Sequence, residues 1–541
     1  MSHWYVYRSL SVRLGNPTPD LKKTISNKTE IPLHKIKQAQ IAKKSLDARK
    51  RRQPCWLYQI EFLCDEPLTL PLPKGTASIP HSVTDSIKPS SLVLKTGKIK
   101  KRAIVIGSGP AGLFAALALG EAGIPTTLIE RGKPVETRMK DIGILRGRGI
   151  LDTESNVCFG EGGAGTYTDG KLYTRVKHSF LQWIMTKLVE FGGPEEILTD
   201  AHPHLGTDKL VRIIKHIRAR LLELGVDVLF HTRVDDLVVK DGRVVGLITN
   251  TGEQLEADYL VLGIGHSARE TLEFLSKIGL KMSFKNFAVG VRVEHPQALI
   301  NQAQYGPFAD HPELGAAEYR LSHQVPDPIL GKRGVYSFCM CPGGFIVPTP
   351  TEPQKMAING MSNANRSTPF ANSGIVVQVT DEDLLRNGYN NHPLMGLSFQ
   401  QDLESSAFQA TDSPYAAPAM RMTDFLSGNE PKSLAPTHFK PKAEPFPLSQ
   451  VLPEWIHQPL REGLQVFGRK IRGYDSSESN VFGIESRTSS PVRIDRGENM
   501  QSVNMAGLYP VGEGAGYAGG IVSAALDGLK AAEAIINENR G

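Results

Sequence analysis

A glycine-rich stretch, Gly107-Ser-Gly-Pro-Ala-Gly112, has the spacing of a turn that binds a diphosphate. Its first glycine permits a tight turn, the second lets the backbone approach a pyrophosphate, and the third lets a helix pack closely on a strand. Unpaired N–H groups at the start of the next helix would face the phosphates. Glu130, 23 residues beyond Gly107, stands where a carboxylate accepts hydrogen bonds from a ribose diol. These residues predict a dinucleotide site.

The elements around the turn are the ones that such a site needs. An apolar strand over 102–107 precedes the glycines, a helical run over 113–122 follows them, and a second strand covers 126–130. A strand, a turn, a helix and a strand within about 30 residues form a β-α-β nucleotide unit. FAD and NAD both bind to this unit, so it leaves the choice between them open.

The order of the later elements resembles the FAD-binding fold of the glutathione-reductase type. An alternating meander over 226–251 leads to an apolar strand over 257–265. Near the C-terminus, the turn Gly512-Glu-Gly-Ala-Gly516 leads into a helix over 521–537. In proteins of this type, that returning helix faces the flavin with its N-terminus. An Asp usually stands in the turn and contacts the ribityl chain, whereas this sequence has Glu513 there.

Further motifs resemble those of a family of large FAD-dependent dehydrogenases whose members carry a basic N-terminal extension. The motifs are Phe159-Gly-Glu-Gly-Gly-Ala-Gly-Thr-Tyr-Thr-Asp-Gly-Lys-Leu172, Tyr336-Ser-Phe-Cys-Met-Cys-Pro-Gly-Gly344, Gly360-Met-Ser362 and Ala371-Asn-Ser373. The family is known chiefly as flavoproteins whose substrates are uncharacterised. The resemblance therefore implies FAD and a fold, but no reaction.

The resemblance also implies cofactor contacts for individual residues. Glu130 would meet the ribose, Arg131 would lie against the adenine, and Val234 would offer main-chain hydrogen bonds to the adenine. The diphosphate would be held by Gly107, Ser108, Gly109, Pro110, Ala111 and Gly112, the loop near the flavin would be Gly163, Ala164, Gly165 and Thr166, and the return turn and helix would contribute Gly512, Glu513 and Ile521. No catalytic residue follows, because the cofactor itself carries hydride chemistry.

The predicted fold is α/β, with three parts. It combines a small N-terminal α/β domain, a glutathione-reductase-type FAD-binding domain with a parallel sheet and a β-meander, and an inserted, mixed, β-rich substrate domain. The predicted boundaries are 1–64 for the basic N-terminal domain, 65–98 for a Pro-rich linker that resists helix and sheet, 99–284 and 474–541 for the FAD-binding domain, and 285–473 for the inserted domain.

The positive charge of the chain is concentrated at its start. Residues 1–52 contain thirteen Lys or Arg against three Asp or Glu, a net charge of +10, and since the whole chain is +6, the remainder carries −4. We expect a β-α-β unit here, with a Lys-rich helix from Asp20 to Arg52. Trp4, Tyr5, Tyr7, Trp56 and Tyr58 on its expected strands would suit a nucleic-acid-binding sheet. A solvated lysine face on a packed helix explains the same pattern and is favoured.

Composition excludes several classes of protein. With 40% hydrophobic, 22% charged and 7% aromatic residues, the 541-residue chain is neither fibrous nor wholly disordered. No apolar stretch approaches the roughly 18 residues of a membrane span, and the start lacks a secretory signal. Five cysteines without a CxxC pair indicate neither a disulfide scaffold nor a metal site. We expect a cytoplasmic protein without a membrane or metal partner. Its oligomeric state is left open.

Weaker candidates remain. Gly263-Ile-Gly-His-Ser-Ala268 also follows a strand, but no acid or Arg ends another strand about 20 residues later, so it fits the FAD-binding domain better than a second, NAD(P) site. Cys339 and Cys341 would form a redox pair only in poor CxC geometry, and a role as small buried hydrophobic residues is favoured. The polar groups expected nearest the flavin or an anionic substrate are His266, Lys171, Arg292 and Arg366, but a structural hydrogen-bonding role is favoured for each of them.

The sequence thus predicts an FAD-dependent oxidoreductase that exchanges a hydride between an unidentified small molecule and flavin N5. NAD(P)H, oxygen or another acceptor would complete the cycle, and the residues leave this choice open. The alternative is a nucleic-acid-binding flavoprotein that modifies or senses RNA through its basic N-terminal domain.

Overall fold

The protein is described by a computed structural model over residues 3–49, 53–82, 89–93, 100–167 and 170–540. Within these ranges, no helix combines the length and the apolar character needed to cross a bilayer. The apolar side chains gather in separate cores: one under the N-terminal sheet, one on each face of a parallel sheet, and one under a large antiparallel sheet.

The N-terminal unit is an antiparallel sheet with one short helix. Its elements are β1 (His3–Arg13), α1 (Leu21–Thr29), β2 (Ile36–Asp47), β3 (Cys55–Cys64) and β4 (Thr76–Ile79). The strand order is β2-β3-β1-β4. The buried side chains Ile25, Ile60 and Phe62 form its core.

Two predictions for this region are wrong. The expected helix from Asp20 to Arg52 ends at Thr29, because Glu30 takes a left-handed conformation and Pro32 follows soon after. The lysine-rich segment beyond it, Ile36–Asp47, is a strand, since pairing with β3 outweighs helix propensity. Residues 50–52 lie outside the described residues. The second wrong prediction is that residues 65–98 form a linker that resists helix and sheet. This segment contains β4, which pairs with β1 at the sheet edge.

The next section of the chain forms the nucleotide-binding fold. Its elements are β5 (Ala103–Ile106), α2 (Pro110–Glu121), β6 (Thr126–Ile129), α3 (Val135–Arg148), α4 (Phe180–Glu190), α5 (Gly206–Glu223), β7 (Asp227–Leu229), β8 (Val234–Lys240), β9 (Arg243–Thr249), β10 (Gln254–Glu256), β11 (Tyr259–Leu262), α6 (Arg269–Lys277) and β12 (Met282–Phe284).

The large antiparallel sheet and its helices follow. Their elements are β13 (Phe287–Pro296), α7 (Gln297–Tyr305), β14 (Ser322–Asp327), β15 (Gly331–Cys341), β16 (Phe345–Pro348), β17 (Ile358–Met361), β18 (Phe370–Val379), α8 (Asp381–Arg386), α9 (Met395–Gln409), β19 (Ala417–Arg421), α10 (Met422–Ser427), β20 (Ala443–Pro445), α11 (Glu454–Lys470) and β21 (Asn480–Glu485). The chain then returns to the nucleotide-binding fold through β22 (Val492–Ile494), β23 (Leu508–Pro510) and α12 (Ile521–Glu538).

A five-stranded parallel sheet, in the order β23-β11-β5-β6-β7, is the centre of the nucleotide-binding fold. Its strands are short and almost wholly apolar because both faces are covered. Helices α2 and α12 cover one face, and the predicted meander, β8 to β10, lies on the other. This architecture confirms the predicted fold class.

The antiparallel sheet has seven strands in the order β14-β15-β18-β13-β21-β19-β20. Strand β21 lies within it, between β13 and β19, although it falls beyond position 473, where the inserted domain was predicted to end. The short apolar run of β21 gave no sign of this, since its partners are distant in the sequence. The other predicted domain boundaries remain predictions.

Candidate functional site

A cavity of about 760 Å³ lies between the parallel sheet and the antiparallel sheet. Four of its lining residues stand at or just beyond the ends of parallel strands: Ile106, Ile129, Gly263 and Val511. The opposite wall includes Phe338 and Cys339 of β15 and Asn359 of β17. In open α/β sheets, ligands bind at the carboxyl ends of the strands, which is where this cavity lies.

Two helices point their N-termini at the cavity. Gly109 precedes α2 and Gly520 precedes α12, and neither N-cap residue satisfies the helix with a side chain. Gly109 and Gly520 both line the cavity, together with the first residue of each helix. The unpaired N–H groups and the helix dipoles favour negative charge at both places. The cavity therefore offers two anion-binding positions.

The glycine-rich turn depends on glycine for space as well as for conformation. Gly107 has φ +91°, and a Cβ there would lie 2.4 Å from the carbonyl oxygen of Gly263. A Cβ on Gly112 would lie 1.8 Å from the carbonyl oxygen of Gly107. Across the cavity, Gly163 has φ +66°, and its Cβ would lie 3.0 Å from the Cα of Gly109. A side chain at Gly107 would therefore push the turn away from Gly263, and a side chain at Gly112 would distort the turn itself. A side chain at Gly163 would push its loop away from Gly109.

Glu130 connects the loops on the nucleotide side of the cavity. One carboxylate oxygen accepts from the backbone N and the hydroxyl of Ser108, at 2.9 and 2.8 Å. The other accepts from the backbone N of Gly132, at 3.0 Å, and of Gly160, at 3.1 Å. These four bonds use the roughly four acceptor positions of a carboxylate. Glu130 thus fixes the glycine-rich turn to the loop after α3.

Thirteen of the sixteen predicted site residues line the cavity: Gly107, Gly109, Pro110, Ala111, Glu130, Arg131, Gly163, Ala164, Gly165, Val234, Gly512, Glu513 and Ile521. The structure places the other three behind its wall. Ser108 is bonded to Glu130, Gly112 packs on the turn, and Thr166 is buried with a hydroxyl that has no partner among the described residues. Thr168 and Asp169 of the same motif lie outside the described residues.

Arg131 is held in place from several sides. Its guanidinium lies 4.0 Å from the centre of the Phe159 ring and donates to Glu154 at 2.8 Å and to Glu270. Arg233, next to Val234, also pairs with Glu154, at 2.9 Å. The arginines at this end of the cavity are therefore neutralised by neighbouring carboxylates.

A partly buried imidazole and a partly buried carboxyl meet at another part of the cavity. His266 Nδ1 lies 3.8 Å from Glu513 Oε2, and the side chains are 12% and 26% exposed. Burial lowers the pKa of His266 to about 3, with help from the charges of Arg487 and Arg269. Burial raises the pKa of Glu513 to about 7, opposed by Lys285. Both groups are thus driven towards their neutral forms.

The remaining sequence candidates divide between the wall and the interior. His266 and Lys171 line the cavity, whereas Arg292 is completely buried behind it and pairs with Glu485 at 2.6 Å. Arg366 is not among the lining residues. Arg292 and Arg366 therefore do not face the cavity as expected.

The cysteines form no disulfide within the described residues. Cys339 lines the cavity, while Cys341 is fully buried and donates from its Sγ to the carbonyl oxygen of Cys339 at 3.3 Å. The second glycine motif, Gly263–Ala268, lines the same cavity as the first. It thus belongs to the nucleotide-binding fold and not to a separate NAD(P) domain.

Sequence reasoning missed several lining residues, among them Arg175, Arg320, Asn359 and Arg487. Arg487 is held by Glu404, which also pairs with Arg269 at 2.8 Å. Asn359 directly precedes the motif Gly360-Met-Ser362, and Arg175 follows the motif that ends at Leu172, so these motifs were a signal that could have found both residues. Arg320 and Arg487 adjoin no such motif, and only their partners elsewhere in the fold identify them.

Within the described residues, no group of three or more His, Cys, Asp or Glu side chains is arranged to hold a metal ion. The groups that face the cavity are instead backbone N–H groups of the helix starts and glycine loops, together with cationic side chains. Such groups suit a dinucleotide.

The parallel sheet, the meander and the doubly anion-binding cavity define an FAD-binding oxidoreductase. Residues 286–488 match the family described as "FAD-dependent protein, C-terminal domain-like". Residues 102–139 match the family "FAD binding domain", and residues 191–291 match the family "Pyridine nucleotide-disulphide oxidoreductase". A domain of unknown function matches residues 8–63. The chain belongs to a family of large FAD-dependent proteins, as its resemblance had indicated.

Several known proteins are similar to this chain or to part of it. An uncharacterized protein of Clostridium beijerinckii is 39% identical over 532 residues, which cover 98% of each chain. The tRNA uridine 5-carboxymethylaminomethyl modification enzyme MnmG of Pediococcus pentosaceus is 28% identical over 168 residues, covering 31% of this chain and 24% of that protein. Among solved structures, tetracycline destructase Tet(51) matches 82% of each chain at 12% identity and a TM-score of 0.32.

Proposed function

We propose that this protein is an FAD-dependent oxidoreductase that exchanges a hydride between a small-molecule substrate and the flavin. One observation carries the proposal: two helices with glycine N-caps begin side by side at the wall of a single cavity, and the glycine loop Gly163–Gly165 lies against both. One N-terminus suits a diphosphate, and the other suits the charge that a reduced ring carries.

The nucleotide end would hold the diphosphate with main-chain N–H groups. Gly109, Pro110 and Ala111 line the cavity at the start of α2, and Gly107 lets the turn approach without a side chain. The four acceptor positions of Glu130 are already used, so ribose hydroxyls would share that carboxylate with Ser108. Arg131 and Val234 line the cavity and would flank the adenine.

The ring end would be covered by backbone with few side chains. Gly163, Ala164 and Gly165 form one wall, and Gly512 and Ile521 another. The N-terminus of α12 would stabilise negative charge on the pyrimidine side of the ring. FAD supplies the hydride-accepting centre when it is bound. The protein's part is to orient the substrate against that centre and to limit the access of water.

Glu513 and His266 would supply hydrogen bonds at this end. The neutral forms favoured by burial can each donate and accept one. Apart from each other, neither side chain has a bonding partner among the described residues. Glu513, which lines the cavity, would bond to the ribityl hydroxyls or exchange a proton with the substrate.

We propose NADH or NADPH as the electron partner, and the family match over 191–291 supports a pyridine-nucleotide reaction. The proposal does not include a second domain that binds NADH or NADPH, because the glycine motif Gly263–Ala268 lines the same cavity as the first glycine motif.

The test begins with the purified full-length protein. We expect a yellow preparation, or an empty one that takes up FAD, with one flavin per chain. Anaerobic addition of NADH or NADPH should then bleach the flavin absorbance. A colourless preparation that stays empty after incubation with FAD would overturn the proposal. Bleaching by neither nucleotide would reject the electron partner alone and leave flavin binding intact.

A further inference from the structure

The end of the cavity next to β15 contains an excess of cationic and donor groups. Lys171, Arg175 and Arg320 line it, together with the amide of Asn359. Among the described lining residues, the carboxylates are Glu130 and Glu513. Glu130 is bonded to Ser108, Gly132 and Gly160 at the nucleotide end, and Glu318, whose carboxylate interacts with Lys171, is not among the lining residues. Burial keeps Glu513 about half protonated near neutral pH, since its pKa is raised to about 7.

Two of these cations differ from the other arginines of the same cavity. Arg131, Arg233 and Arg487 each form ion pairs with carboxylates at 2.7–2.9 Å. Neither Arg175 nor Arg320 pairs with a carboxylate in the described part of the chain. Instead, the Arg320 guanidinium lies 5.3 Å from the centre of the Tyr173 ring, which orients it without neutralising it. Their charge is available to a ligand.

Asn359 adds a directed donor. Its Oδ1 accepts from the backbone N of Gly360 at 2.7 Å and from Arg292 Nη2 at 3.1 Å. Because those two donors fix which side of the amide is oxygen, the NH₂ group is the side left for the cavity. No described acceptor takes a hydrogen bond from it.

Buried Arg292 holds these groups on one wall. Its Nη1 donates to the carbonyl oxygen of Cys339 at 3.3 Å, while its Nη2 holds Asn359. The carbonyl oxygen of the next residue, Met340, accepts from Lys171. Lys171 and Asn359 are therefore attached to neighbouring points of the same framework. Phe338 adds an apolar surface beside them.

We propose that this end of the cavity binds the anionic group of a small organic ligand, with Arg175 and Arg320 holding the charge and Asn359 donating to one oxygen. The inference rests on the proposed function, since it places the other end of that ligand against the flavin. A substrate carboxylate and the diphosphate of a nicotinamide nucleotide share this chemistry. The cation-lined end would serve either one by the same charge-assisted hydrogen bonds.

The test uses three probes on the FAD-loaded protein: benzoate, its neutral analogue benzamide, and ADP-ribose. Calorimetric titration reports binding independently of the flavin, and the flavin absorbance reports contact with the ring. The variants are Arg320→Gln and Arg175→Gln. Lys177→Gln is the matched control, because Lys177 is an exposed cation of the same loop that does not line the cavity. Flavin content is measured first in every variant.

We expect an anionic probe to bind to the unaltered protein and to the control. Arg320→Gln should weaken it at least about 10-fold, as expected for loss of a charged hydrogen bond. A loss confined to benzoate assigns the cations to a substrate carboxylate, and a loss confined to ADP-ribose assigns them to a nucleotide diphosphate. Binding of neither anion, equal binding of benzamide, or equal losses in Lys177→Gln would overturn the inference. Because titration needs no colour, a protein without flavin would reject the proposed function separately.

Discussion

His266 Nδ1 lies 3.8 Å from Glu513 Oε2, although one residue follows β11 and the other follows β23. The parallel sheet brings these two strands side by side, and the cavity forms beyond their ends. Burial opposes charge on both groups, so the pair is neutral near pH 5–6, and Glu513, with a pKa of about 7, is half ionised near neutral pH.

This pair predicts a pH dependence of stability. The folded pKa of Glu513, about 7, exceeds its ordinary value of 4.5, so the folded state retains a proton that the unfolded chain releases. Its contribution to stability is therefore present below pH 4.5 and is lost as the pH rises to 7. Glu513→Gln, which stays neutral, should become more stable relative to the unaltered protein by roughly 1–3 kcal/mol between pH 5 and pH 8.

Urea unfolding at the two pH values, at matched flavin content, measures this difference. The exposed carboxylate of Glu498 provides the control: Glu498→Gln should leave the pH dependence almost unchanged. An identical pH dependence in Glu513→Gln and the unaltered protein would contradict the assignment.

The glycine-rich turn predicts a contrast between two helical glycines. A Cβ on Gly112 would lie 1.8 Å from the carbonyl oxygen of Gly107, whereas one on Gly143 in α3 meets nothing within 4 Å. Gly112→Ala should thus displace the turn, lower the stability by about 1–3 kcal/mol and reduce flavin occupancy. Gly143→Ala should be neutral or slightly stabilising. Flavin absorbance per chain, with thermal unfolding, separates the two. Equal occupancy in both variants would show that the turn does not hold the cofactor.

The buried pair of Arg292 and Glu485 predicts a large and partly reversible loss of stability. Arg292→Met leaves Glu485 buried without its partner, and such losses cost about 3–5 kcal/mol. Adding Glu485→Leu should restore much of the stability but not anion binding, because Asn359 still lacks its anchor. Denaturant unfolding and benzoate titration measure the two effects.

A surface pair of the same length serves as the control for that experiment. Arg386 lies 2.6 Å from Glu382, but both side chains are largely exposed, at 59% and 50%. Arg386→Gln should cost less than about 0.5 kcal/mol. If the buried and the surface substitutions have similar effects, the framework role of Arg292 is wrong.

The N-terminal sheet predicts weak, if any, salt-dependent binding of tRNA. Tyr5 is buried and stacks on Phe62, with ring centres 5.6 Å apart. The indole of Trp56 donates to Glu313 at 2.8 Å, so it serves as a contact to the antiparallel-sheet domain. The Tyr5 ring is therefore not available to stack on bases, and the Lys44 ammonium, 4.1 Å from the centre of the Trp56 ring, covers one face of that ring. Filter binding of tRNA at low and high salt tests this. A steep fall in affinity with salt would instead support a nucleic-acid function.

The sequence predicted the local units of the fold well and its long-range pairings less well. The turn at 107–112 and the helix after it follow from glycine spacing and an apolar run, which act within a few residues. The segment Ile36–Asp47 shows the limit. Its lysines suit a helix, but β3 provides a strand partner that no local pattern reveals.

The same distinction between local sequence and long-range pairing applies to the candidate site. By itself, the sequence determined the anion-binding turn, the acidic residue after β6 and the returning helix, because steric limits on the backbone are set by neighbouring residues. Only the tertiary structure decided that Arg175, Arg320 and Asn359 line one cavity, and that Arg292 lies behind Asn359. Those positions depend on strand pairing between distant segments. The burial and charge of a side chain are properties of the assembled cavity and are not encoded in its immediate neighbours.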